Sequence, residues 1–164
     1  GRILLDPIPN VQPVTVIVLL AGIHFGAART VALATAVALC SNMLLGHGLW
    51  SLYQAVGWSV VGIVGAALSN RLYVDGRMMI PTLAGLAVVS AFAFDWIVSL
   101  SALHSLSGEV FLVYLTAGIP YDLLHAAGNL VFVAWLANPL SEVMTRHIAP
   151  PIPMAVRDPV SSRV

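Results

Sequence analysis

The sequence predicts an all-α, polytopic membrane helical bundle with five visible spans. Three observations carry that expectation. First, the 164 residues are 59% hydrophobic and 9% charged, with mean hydropathy +0.94. Soluble domains carry about 25% charge, so lipid is the expected solvent for this much apolar surface. Second, long apolar stretches recur with short polar gaps between them. Third, the basic residues alternate along the chain. All seven are arginines, and six of them fall in every second gap: Arg29, then Arg71 and Arg77, then Arg146, Arg157 and Arg163. This is the pattern of the positive-inside rule, and it orients the chain as well as placing it in a membrane. Arg2 is the exception, on the opposite side.

A helix needs about 20 apolar residues to cross a bilayer, with a range of about 17–25. The first expected span, 13–26, is short and starts at Pro13, a good first-turn residue. The second, 28–45, carries Ala32, Ala34, Ala36 and Ala38 as a small-residue surface. The third, 50–70, contains Gly57, Gly62, Gly65 and Ala66, which let helices approach closely. The fourth covers 78–100. The stretch 109–137 is long for one crossing. Pro120 suits a helix start and Asp122 suits the positive first turn, so the fifth span is expected at 118–138. Residues 99–117 are then expected to form an outer loop with a short interfacial helix.

With the arginines inside, residues 1–12, 46–49 and 101–109 are outer segments. The domain of 1–148 is followed by a proline-rich tail, 149–164, expected in the cytoplasm without fixed structure. Gly1-Arg2-Ile3-Leu4-Leu5 reads as the outer end of a preceding helix, which would place both termini inside. Zero net charge offers no footprint for nucleic acid. Cys40 is the sole cysteine, so no internal disulfide and no multi-cysteine metal motif is available. No His-x-x-x-His pair exists, and His47, His104 and His125 are far apart, so no metal site is expected. No cofactor is expected either.

Polar side chains at membrane depth are costly and face protein or a cavity. The fourth span keeps Asp95; the fifth keeps Asp122, His125 and Asn129, spaced i, i+3, i+7 on one helix face. Asn42 closes the second span, and Gln54 and Trp58 open the third at i, i+4. His47, Trp50, Tyr114 and Tyr121 lie near the same outer surface, while His24 stands alone toward the inside. The functional reading is an outward-facing pocket in which aromatic rings enclose a small molecule and a few polar groups orient it. The plainer reading makes Trp50 and Tyr114 interfacial belt residues, and Asn42 and Gln54 interhelical bonds. Asp95 and Asp122 are harder to explain as scaffolding. The competing chemistry is an intramembrane enzyme or a proton-coupled carrier using Asp95, Asp122 and His125. No carboxylate continues that path to the inner side, and no protease pattern surrounds either aspartate.

The order of motifs resembles a known family. Pro9-Asn10-Val11-Gln12-Pro13-Val14-Thr15 leads into a span ending Ala21-Gly22-Ile23-His24-Phe25-Gly26. Ser41-Asn42 closes the next span, and Gly46-His47-Gly48-Leu49-Trp50-Ser51-Leu52-Tyr53-Gln54-Ala55-Val56-Gly57-Trp58 opens the third. Gly118-Ile119-Pro120-Tyr121-Asp122-Leu123-Leu124-His125-Ala126-Ala127-Gly128-Asn129 follows near the end. This resembles the substrate-binding S component of energy-coupling factor (ECF) vitamin transporters, closest to uncharacterised and cobalamin-type members, over about residues 3–146. The resemblance implies a six-helix fold with the first helix missing here. It also implies a vitamin-like substrate held near the outer surface, with cobalamin suggested by the resemblance alone. A transmembrane coupling subunit and two cytoplasmic ATPases are the implied partners in the cell membrane, and the chain itself is not an enzyme. Asn10, Gln12, Asn42, Gln54, Trp58, Asp95, Asp122, His125 and Asn129 are expected to line or support the pocket, with His47, Trp50 and Tyr121 at its mouth.

Overall fold

The computed structural model describes residues 2, 3, 5 and 7–147. Among these the chain is overwhelmingly helical. Helix α1 spans Val14–Phe25, α2 Ala27–Leu45, α3 Trp50–Ala67 and the one-turn α4 Ser69–Leu72. A two-stranded hairpin follows, β1 at Tyr73–Val74 and β2 at Arg77–Met78, then α5 at Ile80–Ser99. A 3-10 turn at Leu100–His104 leads to α6 at Gly108–His147. Three segments are long and apolar enough to cross a membrane: Ala27–Leu45, Ile80–His104 and Gly108–Arg146.

Two of the five expected spans differ from that standard. Helix α1 has 12 residues, a rise of about 18 Å against a hydrocarbon core of about 30 Å. It is instead the centre of the bundle. Val16, Val18, Leu19, Leu20 and Ala21 are all fully buried, and a helix wrapped by other helices need not reach both lipid surfaces. Helix α3 has 18 residues, diluted in apolarity by Ser51, Gln54, Ser59 and its glycines. Those glycines set the packing. A Cβ on Gly65 would lie 2.7 Å from the Leu19 carbonyl oxygen, and one on Gly22 would collide with the Gly62 backbone. α1 therefore crosses α3 backbone to backbone.

Glycines also end the first two helices. Gly26 and Gly46 adopt φ of 79° and 101°, and their N–H groups bond the Gly22 and Asn42 carbonyls. The gap expected as a plain inner loop is a hairpin. Asp75 and Gly76, with φ of 49° and 76°, form the two-residue turn that twisted strands favour. It pairs Tyr73 with Met78 and Val74 with Arg77.

The fifth span departs most from expectation. α6 starts at Gly108, not near Gly118, and runs 40 residues through Pro120 and Pro139. The expected outer loop over 99–117 shrinks to the 3-10 turn and three residues after it. A proline removes one backbone hydrogen bond and leaves those of its neighbours, and the helix continues through both prolines. At about 1.5 Å per residue α6 is about 60 Å long, and Leu112, Val113, Tyr114, Ile119 and Tyr121 remain exposed along its first half.

The ends of the bundle are chemically distinct. His24, near the end of α1, bonds Ser141 of α6 at 2.9 Å and meets Tyr73 of the hairpin edge-on at 5.1 Å. Arg77 and Arg146 share a cavity there, and Arg29 begins α2 close by. The opposite end gathers the start of α1, the end of α2, the start of α3 and the end of α5. Arg2, Ile3 and Leu5, expected as a helix end, form turns at this opposite end. The tail expected at 149–164, with Arg157 and Arg163, lies outside the described residues.

Candidate functional site

At the end away from the other arginines, two polar networks flank a cavity of about 290 Å³. The first is centred on Asn42, which is 1% exposed at the last turn of α2. Its amide nitrogen donates to Ser51 Oγ and to Gln54 Oε1, both at 2.8 Å. Its oxygen accepts from Arg2 Nη1 at 2.8 Å. The same Arg2 nitrogen donates to Ser41 Oγ. The guanidinium lies 5.2 Å from the centre of the Trp58 ring, within the range of a cation–π attraction. Trp58 is fully buried and stacks on Phe94 at 4.6 Å.

The second network is centred on Asp95, one turn before the end of α5. Its Oδ2 accepts from Asn10 Nδ2 and from His125 Nδ1, each at 3.0 Å. The other Asn10 amide proton goes to the Tyr121 carbonyl at 3.1 Å, which holds Asn10 at φ 60°. His125 is wholly buried, and its Nε2 stands 2.9 Å from Thr15 Oγ1. With Nδ1–H donating to a carboxylate, Nε2 is left to accept the threonine proton. Phe94 meets His125 edge-on at 5.6 Å, so the stacked pair Trp58–Phe94 joins the two networks.

Asn10, Gln12, Asn42, Trp50, Gln54 and Asp95 all line this cavity, together with Arg2, Phe94 and several aliphatic residues. A neighbouring cavity of about 350 Å³ shares Asn10, Asp95 and Val98 and adds Ser99, Tyr114, Tyr121 and Asp122. Asp122 accepts from Trp96 Nε1 at 3.1 Å. The remaining expected residues do not open on either cavity. Trp58 and His125 stand behind the wall. His47 makes a long 3.5 Å contact to Ser51 Oγ. Asn129 is buried deeper, donating to the Ala87 carbonyl at 3.0 Å, so it braces α6 against α5.

Larger cavities exist. One of about 540 Å³ is lined by Leu49, Leu52, Val56, Ile97 and Leu100 with Tyr53 and His104. It is an apolar groove on the bundle's side, with few groups to orient a ligand. Another, about 520 Å³, lies at the arginine end. Convergent polar groups in a concavity mark a binding site better than volume does. The arginine-end cavity also has them, in Arg77, Asn138, Glu142 and Arg146, but holds none of the residues expected to line the pocket, which gather at the smaller pair.

Arg2 is the main residue that sequence reasoning missed. Its departure from the arginine alternation was the available signal, but nothing in the sequence says that it folds back onto Asn42. Thr15, Ser51, Phe94 and Trp96 were also missed, because hydroxyl and ring contacts of this kind leave no periodic trace. Comparison with protein-family models, with curated proteins and with solved structures returned no match.

Proposed function

We propose that this chain is the substrate-capture subunit of an ATP-driven, ECF-type importer of a vitamin-like micronutrient. One observation carries the reading: the polar cavity lined by Arg2, Asn10, Gln12, Asn42, Gln54 and Asp95 opens at the end of the bundle away from Arg71, Arg77 and Arg146. By the positive-inside rule that end faces outward, in the cell membrane with the C-terminus cytoplasmic. Its rim and wall combine amides, one guanidinium and Trp50, the mixture that orients a small polar organic molecule. The motif order supports the same reading. It brings with it a six-helix S component, a coupling subunit and two ATPases as partners, and cobalamin among the candidate substrates.

The test is mass spectrometry of small molecules co-purified with the protein, followed by titration with a panel of vitamins including cobalamin. Retention of one vitamin, weakened by Gln54→Ala, supports capture. No vitamin bound by the protein would rule it out.

One observation bears on the alternative, an intramembrane enzyme or proton-coupled carrier using Asp95, Asp122 and His125. Thr15, His125 and Asp95 form a hydroxyl–imidazole–carboxylate chain of the kind hydrolases and proton carriers use. Thr15 is fully buried and on neither cavity wall, so its hydroxyl has no access to a substrate. That favours a bracing role.

A further inference from the structure

Resting on the capture reading, we infer that the bound molecule carries an organic cation. The cation sits against Asp122 and Asp95 beside Tyr114 and Tyr121, and an uncharged polar part reaches the amides of the first cavity.

The second cavity carries this. Its wall holds two carboxylates and no basic side chain. Both are withdrawn from solvent, Asp95 at 9% exposure and Asp122 at 5%. Asp95 has His125 and Asn10 as partners. Asp122 has no ion-pair partner among the described residues. Trp96 bonds its Oδ2. Its Oδ1, near the Gly118 wall, accepts no hydrogen bond from the described residues. Asp122 lines the cavity with no counter-charge of its own among the described residues, and at low local dielectric a carboxylate so placed attracts a ligand cation that supplies the charge. Tyrosine rings add attraction through their negative faces.

Size and composition separate an organic cation from a metal ion. The cavity of about 350 Å³ lies within the range of small-molecule sites. No group of three or more His, Cys, Asp or Glu side chains assembles as a metal site among the described residues. The first cavity has the opposite character, with Arg2 at its wall. That guanidinium repels a cation, so the two cavities, joined at Asn10 and Asp95, impose one orientation on the ligand.

The test uses the full chain in lipid nanodiscs, titrated with choline and with its uncharged isostere 3,3-dimethylbutan-1-ol, read by tryptophan fluorescence. Choline is expected to bind at least about tenfold more tightly than the alcohol. Asp122→Asn, which keeps an acceptor for Trp96, is expected to erase that difference. Gly85→Ala, on α5 and on neither cavity wall, is expected to leave choline affinity unchanged. Equal affinity for both probes, or choline binding unaltered in both Asp122→Asn and Asp95→Asn, would overturn the inference. A protein that binds a vitamin but not choline also overturns it while leaving the capture reading standing. Choline binding lost in Asp122→Asn by a protein that takes no vitamin supports the cation site and removes the capture reading.

Discussion

Asp95 and His125 are joined by a 3.0 Å hydrogen bond between Oδ2 and Nδ1, deep between α5 and α6. The bond does two things. It engages the carboxylate oxygen that Asn10 also bonds, and through Nε2 it ties Thr15 of the central helix into the same chain. The candidate site and the bundle core therefore share one polar thread.

Replacing His125 with Phe keeps a ring of similar bulk but leaves Thr15 and Asp95 without their partner. A buried group left unsatisfied costs about 1–3 kcal/mol. Thermal unfolding in detergent is expected to show a lowered midpoint. An unchanged midpoint would mean that this chain contributes nothing to the fold.

Gln54 and Arg2 meet at Asn42, on opposite sides of its amide. Gln54→Ala is expected to weaken capture of the co-purified ligand about tenfold, the cost of one lost polar contact, with the melting temperature nearly unchanged. Arg2→Ala removes both the bond to Asn42 and the contact with Trp58, so it should weaken binding further and shift tryptophan fluorescence. Wild-type affinity in both variants would exclude this cavity as the site.

Glycines on different helices should respond in opposite ways. A side chain on Gly62 runs into Thr30 of α2, so Gly62→Leu is expected to destabilise by about 1–3 kcal/mol or more through overpacking. Gly85 on α5 has nothing within 4 Å of an added Cβ, so Gly85→Ala should be neutral or stabilising by up to about 1 kcal/mol. Comparable losses in both variants would contradict the α1–α2–α3 crossing.

Orientation can be read in intact cells with a membrane-impermeant maleimide, after Cys40→Ser removes the native thiol. Ser105→Cys, beyond the 3-10 turn, is expected to label from outside. Asn70→Cys, beside the hairpin, is expected to label only after the cells are opened. The reverse pattern would invert the membrane topology and turn the polar cavity toward the cytoplasm.

Asp122, His125 and Asn129 show how far the sequence reaches. Their spacing puts them on one helix face, and all three are buried. Their tasks differ: Asp122 opens on a cavity, His125 links two helices, and Asn129 holds a backbone carbonyl. Periodicity assigns a shared face but not the neighbour that each residue finds across it.

Hydropathy and arginine alternation are properties of the chain itself, so sequence alone determined a helical chain with segments long and apolar enough to cross a membrane, an expected direction and the end where its polar residues gather. Tertiary structure decided the rest. It carried α6 through Pro120, buried the short α1 among its neighbours, and folded Arg2 back onto Asn42. It also joined Asn10 to Asp95 across 85 residues and Thr15 to His125 across 110. The physical reason is that local patterns report how each segment meets its solvent. Which faces meet one another depends on close packing, here on glycine notches that let α1 and α3 touch, and no segment contains that information alone.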